Sequence, residues 1–177
     1  MPDRSQIVSC WSDQGTVSIY NIAPQLAALE SGHSARGQEN VNRPLFQFKG
    51  HRAEGYAMDW SRVDKGKLAT GDCASSIYVY SPTESGWVVD RSAFLSHQSS
   101  VEDIQWSPSE KTVFASCSVD RTIRIWDTRS HEHRSMMSVT AHASDVNVIS
   151  WNREVGYLMV SGSDDGTFRV WDFRNNL

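Results

Sequence analysis

Two stretches of this 177-residue chain carry a histidine, a serine and an aspartate in the same order and at the same spacing. One set is His97, Ser116 and Asp120, and the other is His142, Ser161 and Asp165. A serine beside an imidazole beside a carboxylate is the chemistry of nucleophilic hydrolysis. The base takes the hydroxyl proton and the acid orients the base. Repetition argues against that use here. A catalytic set is needed once, whereas this one recurs after 45 residues and each time brings a tryptophan, Trp126 or Trp171. Metal chemistry fares no better. His131 and His133 sit two apart in the polar run SHEHRS with no third ligand nearby. Cys10, Cys73 and Cys117 are scattered and form no CxxC. No phosphate-cradling loop or dinucleotide fingerprint is present. The expectation is therefore no enzyme, no metal and no cofactor.

The recurrence extends beyond these sets. His51, His97 and His142 are separated by 46 and 45 residues, and so are Trp60, Trp106 and Trp151. Tyr80, Trp126 and Trp171 repeat the same two intervals. Three registers in step define an internal repeat of about 45 residues, the length of a four-stranded propeller blade. Each unit holds three short runs rich in β-branched and aromatic residues, split by turn residues, and these read as strands. Outer strands are expected in GWVVDRSAFL and RSMMSVT. Residues 7–21 read as the middle strands of an earlier unit, with Cys10, Gln14 and Tyr20 at the repeat positions. Residues 22–44 read as an inserted surface loop, with a short helix at PQLAALE and a solvated His33. The Asp164–Asp165–Gly166 run reads as a hairpin turn. The cysteines are expected at small, buried strand positions.

Composition is compatible with a folded, soluble chain: 39% apolar, 21% charged, and 17 basic against 21 acidic residues for a net charge of −4. No apolar run approaches the roughly 20 residues of a membrane span, and the first residues lack the pattern of a secretory signal. Unpaired cysteines suggest a reducing compartment. Basic residues form no continuous stripe, so direct nucleic-acid binding is not expected.

The pairs Gly50-His51, Ser96-His97, Ala141-His142, Trp126-Asp127 and Trp171-Asp172 resemble WD-repeat β-propellers. FKGHRAEGYAMDWS, SVEDIQWSPSEKTVFASCSVDRTIRIWDTR and AHASDVNVISWNRE are more closely similar to the glutamate-rich WD-repeat family of ribosome assembly. That family is related to the retinoblastoma-binding histone-chaperone propellers. The resemblance implies an all-β fold of four-stranded antiparallel blades, part of a seven-bladed propeller. It also implies a nuclear, and specifically nucleolar, location and a scaffold that docks basic proteins, ribosomal or histone. The glutamate-rich stretch itself is absent from this sequence. A purely structural subunit of a larger complex is the alternative from another class.

The resemblance further implies that His97, Ser116, Asp120 and Trp126, and His142, Ser161, Asp165 and Trp171, form buried hydrogen-bond networks. By the same alignment the unit at 49–95 is degenerate, with Thr70 for Ser, Ala74 for Asp and Tyr80 for Trp, and is expected to be less stable. The binding rim implied by the family is the loop after each His together with the middle turn. Here that means Arg52, Glu54, Gln98, Glu102, Arg121, Asp145, Asn147 and Asp164. Asp127 with Arg129, and Asp172 with Arg174, are expected to reach a neighbouring blade as ion pairs. Units at 1–48, 49–95, 96–140 and 141–177 amount to about half of a seven-bladed ring, which needs roughly 315 residues at this period. Open blade edges are then expected to promote self-association.

Overall fold

The computed structural model describes residues 1–32 and 43–175, and His33 lies outside them. The short runs of β-branched and aromatic residues form strands, and the polar residues between them form turns. Strands β1 (Ile7–Trp11), β2 (Val17–Asn21) and β3 (Phe46–Phe48) make the first sheet. Strands β4 (Ala57–Trp60), β5 (Leu68–Gly71), β6 (Ile77–Thr83) and β7 (Gly86–Val89) make the second. The third contains β8 (Val101–Trp106), β9 (Val113–Ser118), β10 (Thr122–Asp127) and β11 (Met137–Thr140). The fourth contains β12 (Val146–Trp151), β13 (Leu158–Ser163) and β14 (Phe168–Asp172). Every pairing is antiparallel between strands consecutive in sequence. The protein is all-β, with four open sheets arranged as in part of a propeller.

Helix α1 (Ala23–Glu30) occupies the long β2–β3 connection. Proline in its first turn suits a helix start, because the missing N–H has no intrahelical partner there. None of its residues is buried, so it adds little to the core.

The core lies between sheets rather than within one. Ile7, Val17, Ile19, Leu68 and Tyr80 fill the seam between the first and second sheets. Ile77, Phe94, Ile104, Phe114 and Trp126 fill the next seam, and Ile125, Ile149, Trp151, Met159 and Trp171 the last. A buried side chain of this kind contributes about 1.5–3 kcal/mol. Each sheet is therefore stabilised chiefly by its neighbours. Only one cysteine matches its expected environment: Cys117 is buried on β9, where burial pushes its thiol pKa up. Cys10 is exposed on β1, and Cys73 lies in the turn after β5. Alternation puts Cys10 on the face of β1 away from the core, and Gly71 rather than Cys73 ends β5.

Register places two connections at the same end of each sheet. Ala57 pairs with Gly71, Val101 with Ser118, and Val146 with Ser163. The loop entering the first strand of a unit therefore lies beside the turn between its second and third strands. Those turns share a left-handed residue at the same repeat position: Gly15, Ser75, Arg121 and Gly166, with φ of 72°, 69°, 69° and 78°. Glycine adopts this conformation readily, whereas Ser75 and Arg121 do so against a steric cost of about 1–2 kcal/mol.

A buried network beneath a candidate docking rim

In the third sheet, His97 Nδ1 lies 2.8 Å from Asp120 and His97 Nε2 lies 2.7 Å from the Ser116 hydroxyl. The Trp126 indole N–H reaches the same hydroxyl at 2.8 Å. The chemistry fixes every proton. An ionised carboxylate only accepts, so Nδ1 carries the hydrogen, and Nε2 then accepts from Ser116. Indole only donates, so Ser116 Oγ accepts from Trp126. Burial lowers the His97 pKa, which keeps the imidazole neutral as this pattern requires. Asp120 is held well below the usual carboxylate range: burial opposes its ionisation, but the hydrogen bond from His97 and those from Thr122 and Gln98 outweigh it. The fourth sheet repeats the arrangement, with His142 Nδ1 3.1 Å from Asp165, His142 Nε2 2.8 Å from Ser161, and Trp171 Nε1 2.8 Å from Ser161.

These distances are those of a hydrolytic triad, yet the hydroxyl is in the wrong place for one. Ser116 is 0% exposed and Ser161 1%, and each oxygen also accepts an indole proton. A substrate carbonyl has no route to it.

The second sheet overturns the expectation that its network is broken. His51 Nδ1 meets a carboxylate at 2.8 Å, supplied by Asp72, two residues before the Ala74 that the alignment put there. His51 Nε2 accepts from Thr70 at 2.8 Å, and Tyr80 donates its hydroxyl to Thr70 at 3.0 Å. Burial raises the Tyr80 pKa, keeping it a donor. The phenol therefore replaces the indole, and a carboxylate on the residue directly after β5 replaces one two positions further into the turn. In the other units that earlier position is serine. Ser118 and Ser163 accept the backbone N–H of Asp120 and Asp165. The three imidazole side chains are equally buried, and Asp72, at 0% exposed, is the most deeply buried of the three carboxylates.

The network also sets the rim. Each carboxylate accepts the backbone N–H of the residue after its histidine: Arg52 at 3.4 Å, Gln98 at 3.0 Å and Ala143 at 3.1 Å. A second backbone bond ties the two connections of each unit together: Cys73 N–H to Glu54 O, Val119 to Ser100, and Asp164 to Asp145. Arg52, Glu54, Gln98, Arg121, Asp145 and Asp164 thus lie on connections at one end of the sheets, and Glu102 and Asn147 are the second residues of β8 and β12, the strands those connections enter. Arg52, Glu54, Gln98, Arg121, Asn147 and Asp164 are exposed, and Glu102 and Asp145 are half-buried. Asn147 donates to Asp164. The acids Glu54, Glu102, Asp145 and Asp164 outnumber the bases Arg52 and Arg121.

The expected ion pairs to neighbouring blades are corrected. Arg129 does not reach a neighbouring sheet. It folds back on Asp127 of its own segment, with Nε 3.0 Å from both carboxylate oxygens. Arg174 does the same with Asp172 and lies 3.8 Å over the Tyr157 ring. A two-residue separation is within reach of the long arginine side chain, so the local partner is met first. His133 is held by the segment that precedes β8. Its ring stacks on Phe94 at 4.4 Å, and its Nδ1 lies 2.7 Å from the Ser92 carbonyl.

Sequence reasoning missed the polar side chains that cross between sheets. Asp59 accepts the Trp106 backbone N–H at 2.8 Å, Asp103 accepts that of Ile149 at 3.0 Å, and Gln105 accepts that of Trp151 at 2.7 Å. Burial pushes the Asp59 pKa up to about 6 and raises that of Asp103. The available signal was a polar residue directly before Trp60 and Trp106, Asp59 and Gln105; Asp103 carried no comparable mark.

Known proteins match this geometry. Residues 90–127 and 133–172 match the family model described as WD domain, G-beta repeat. The chain is 54% identical over 129 residues to the glutamate-rich WD repeat-containing protein 1 of Dictyostelium discoideum, covering 73% of this chain and 26% of that protein. It is 44% identical over 138 residues to the ribosome assembly protein rrb1 of Schizosaccharomyces pombe, covering 78% of this chain and 28% of that protein. The chain thus spans about a quarter of the length of these relatives. A chain in the crystal structure of the mitotic checkpoint complex has the same fold, with a TM-score of 0.74 at 19% identity over 97% of this chain and 46% of that one. The repeats of this chain are therefore WD40 repeats on a propeller-type scaffold, and its relatives include the glutamate-rich WD repeat and ribosome assembly proteins.

Proposed function

We propose that this chain is a non-catalytic docking platform that holds a basic ribosomal protein during ribosome assembly, in the nucleus and specifically the nucleolus. The observation that carries the reading is the rim: four acids against two bases, on or beside connections whose backbones are pinned by the network carboxylates Asp72, Asp120 and Asp165. An acidic surface steers a basic partner by long-range attraction, and a pinned backbone lowers the ordering cost of binding. The His–Ser–Asp–Trp networks, with the His51–Thr70–Asp72–Tyr80 variant, act as struts that hold this rim. The units at 49–95, 96–140 and 141–177, with the incomplete 1–48, serve as successive blades.

Charge reversal tests the rim directly. Glu102→Lys with Asp145→Lys should weaken binding of purified basic ribosomal proteins about tenfold at low salt and flatten the salt dependence. Unchanged affinity and slope would overturn the assignment. Core histones run in parallel separate the two basic partner classes: preferential histone binding would favour a chromatin adaptor instead.

A further inference from the structure

One cleft on this rim has a chemistry of its own. Trp11, Ser12, Asp13, Glu54, Gly55 and Tyr56 line a cavity of about 320 Å³ between the first and second sheets. Two aromatic rings and two carboxylates face it, and no basic residue lines it. Tyr56 is 71% exposed, a large ring with little intramolecular packing to account for its presence. Asp13 and Glu54 are exposed, and among the described residues neither is in an ion pair.

We propose that this cleft receives one cationic side chain, arginine or lysine, of the basic partner. The inference rests on the docking reading above and narrows it to a site. An aromatic face attracts a cation through its quadrupole, and flanking carboxylates supply the charge and the hydrogen-bond acceptors that an ammonium or guanidinium needs. The same four groups repel an anion.

The walls are built before any ligand arrives. The Trp11 ring lies 4.4 Å from the His51 ring, and its indole N–H donates to the Ala57 carbonyl at 3.3 Å. The Glu54 carbonyl accepts the Cys73 N–H at 2.8 Å. Gly55 is required for the close fit. A Cβ there would lie 2.7 Å from Trp11 Cζ2 and 2.3 Å from the Gly71 carbonyl oxygen. Asp13 sits in a turn whose Gln14 and Thr16 N–H groups donate to the Ser12 hydroxyl. The cleft is thereby tied to the His51 network, which fixes Trp11 from one side.

The probe is a capped glycine–serine hexapeptide carrying a single arginine, with lysine and citrulline counterparts. Citrulline keeps the shape of arginine and removes its charge. The readout is the indole N–H resonance of Trp11, assigned with Trp11→Phe. The arginine and lysine peptides should move it in a saturable way and citrulline should not. Tyr56→Ala, and separately Glu54→Gln with Asp13→Asn, should each weaken the response about fivefold or more, and Tyr56→Phe should retain it. Tyr56 is exposed, so an unchanged melting transition checks that the alanine variant is folded. Equal shifts with citrulline, or an unaffected Tyr56→Ala titration, would overturn the cleft. The two proposals fail separately. Loss of basic-protein binding in the Glu102/Asp145 reversal but not in Tyr56→Ala refutes the cleft and leaves the rim. The converse refutes the wider rim and supports the cleft.

Discussion

The second and third sheets solve one problem with different residues. Each must bury an imidazole against a hydroxyl and a carboxylate. The third does so with Ser116, Asp120 and Trp126, the second with Thr70, Asp72 and Tyr80. In the third the carboxylate belongs to the turn and Ser118 caps it. In the second the carboxylate moves to the residue directly after β5 and itself accepts the Ser76 N–H at 2.8 Å. The comparison teaches that the fold requires a donor–acceptor sequence, not a residue sequence. Any group that donates to a hydroxyl, and any carboxylate that reaches Nδ1, completes the network.

The largest expected effect breaks this comparison at its carboxylates. Asp72→Ala should destabilise by about 3 kcal/mol, and Asp120→Ala by about 1.5 kcal/mol. Without Asp72 the His51 Nδ1–H loses its acceptor beside side chains that are fully buried, whereas His97 Nδ1 keeps the Thr122 hydroxyl at 3.4 Å, and an unsatisfied buried donor carries the larger penalty. Denaturant unfolding of both variants measures the difference. Equal losses, or a larger loss for Asp120→Ala, would mean that the second-sheet network is not the stronger. Amide exchange offers the same comparison locally: residues 68–80 should be protected at least as well as residues 113–126.

The seam between these two sheets gives the next effect, and it depends on pH. Asp59 ionises near pH 6 in the folded chain against an ordinary value of 3.8. Between those values the folded state holds a proton that the unfolded state has released. Its contribution to stability is therefore present below about pH 4 and is lost as pH rises through about 6. Asp59→Asn keeps an acceptor for the Trp106 N–H and removes the titration. The variant should gain about 2–3 kcal/mol relative to the parent between pH 4 and 7. Parallel stability curves across that range would show that Asp59 stays ionised.

The smallest effect lies in the turns. Ser75→Gly should stabilise by about 0.5 kcal/mol, because glycine relieves the left-handed strain while losing more backbone entropy on folding. Thermal melting reads it. A destabilised variant would mean that the Ser75 side chain contributes more than its strain costs.

Much of the fold was legible in the sequence. The interval shared by His, Trp and the second aromatic marked the units, and turn residues marked the strands between them. In the third and fourth sheets the network members were legible too, because the same residue types stand at the same spacing. The second-sheet network was misread, since Asp72 stands two places from its counterparts. Only its position beside His51 in space shows the equivalence. The Asp127 and Arg129 pair was misread for a related reason: strand periodicity gives the face of a side chain but not its partner.

By itself the sequence determined what is local and repeated: the period, the strands, the turns and the residue types offered at each position. These follow from backbone preference and hydrophobic alternation within a few residues. Tertiary structure alone decided what joins one unit to the next. The bonds from Asp59 to Trp106 and from Asp103 to Ile149 link residues 47 and 46 positions apart. The Trp11–Tyr56 cleft likewise draws its walls from two sheets. A polar residue in a strand can mark one end of such a contact, but nothing local names its partner, because the two meet only when the sheets pack.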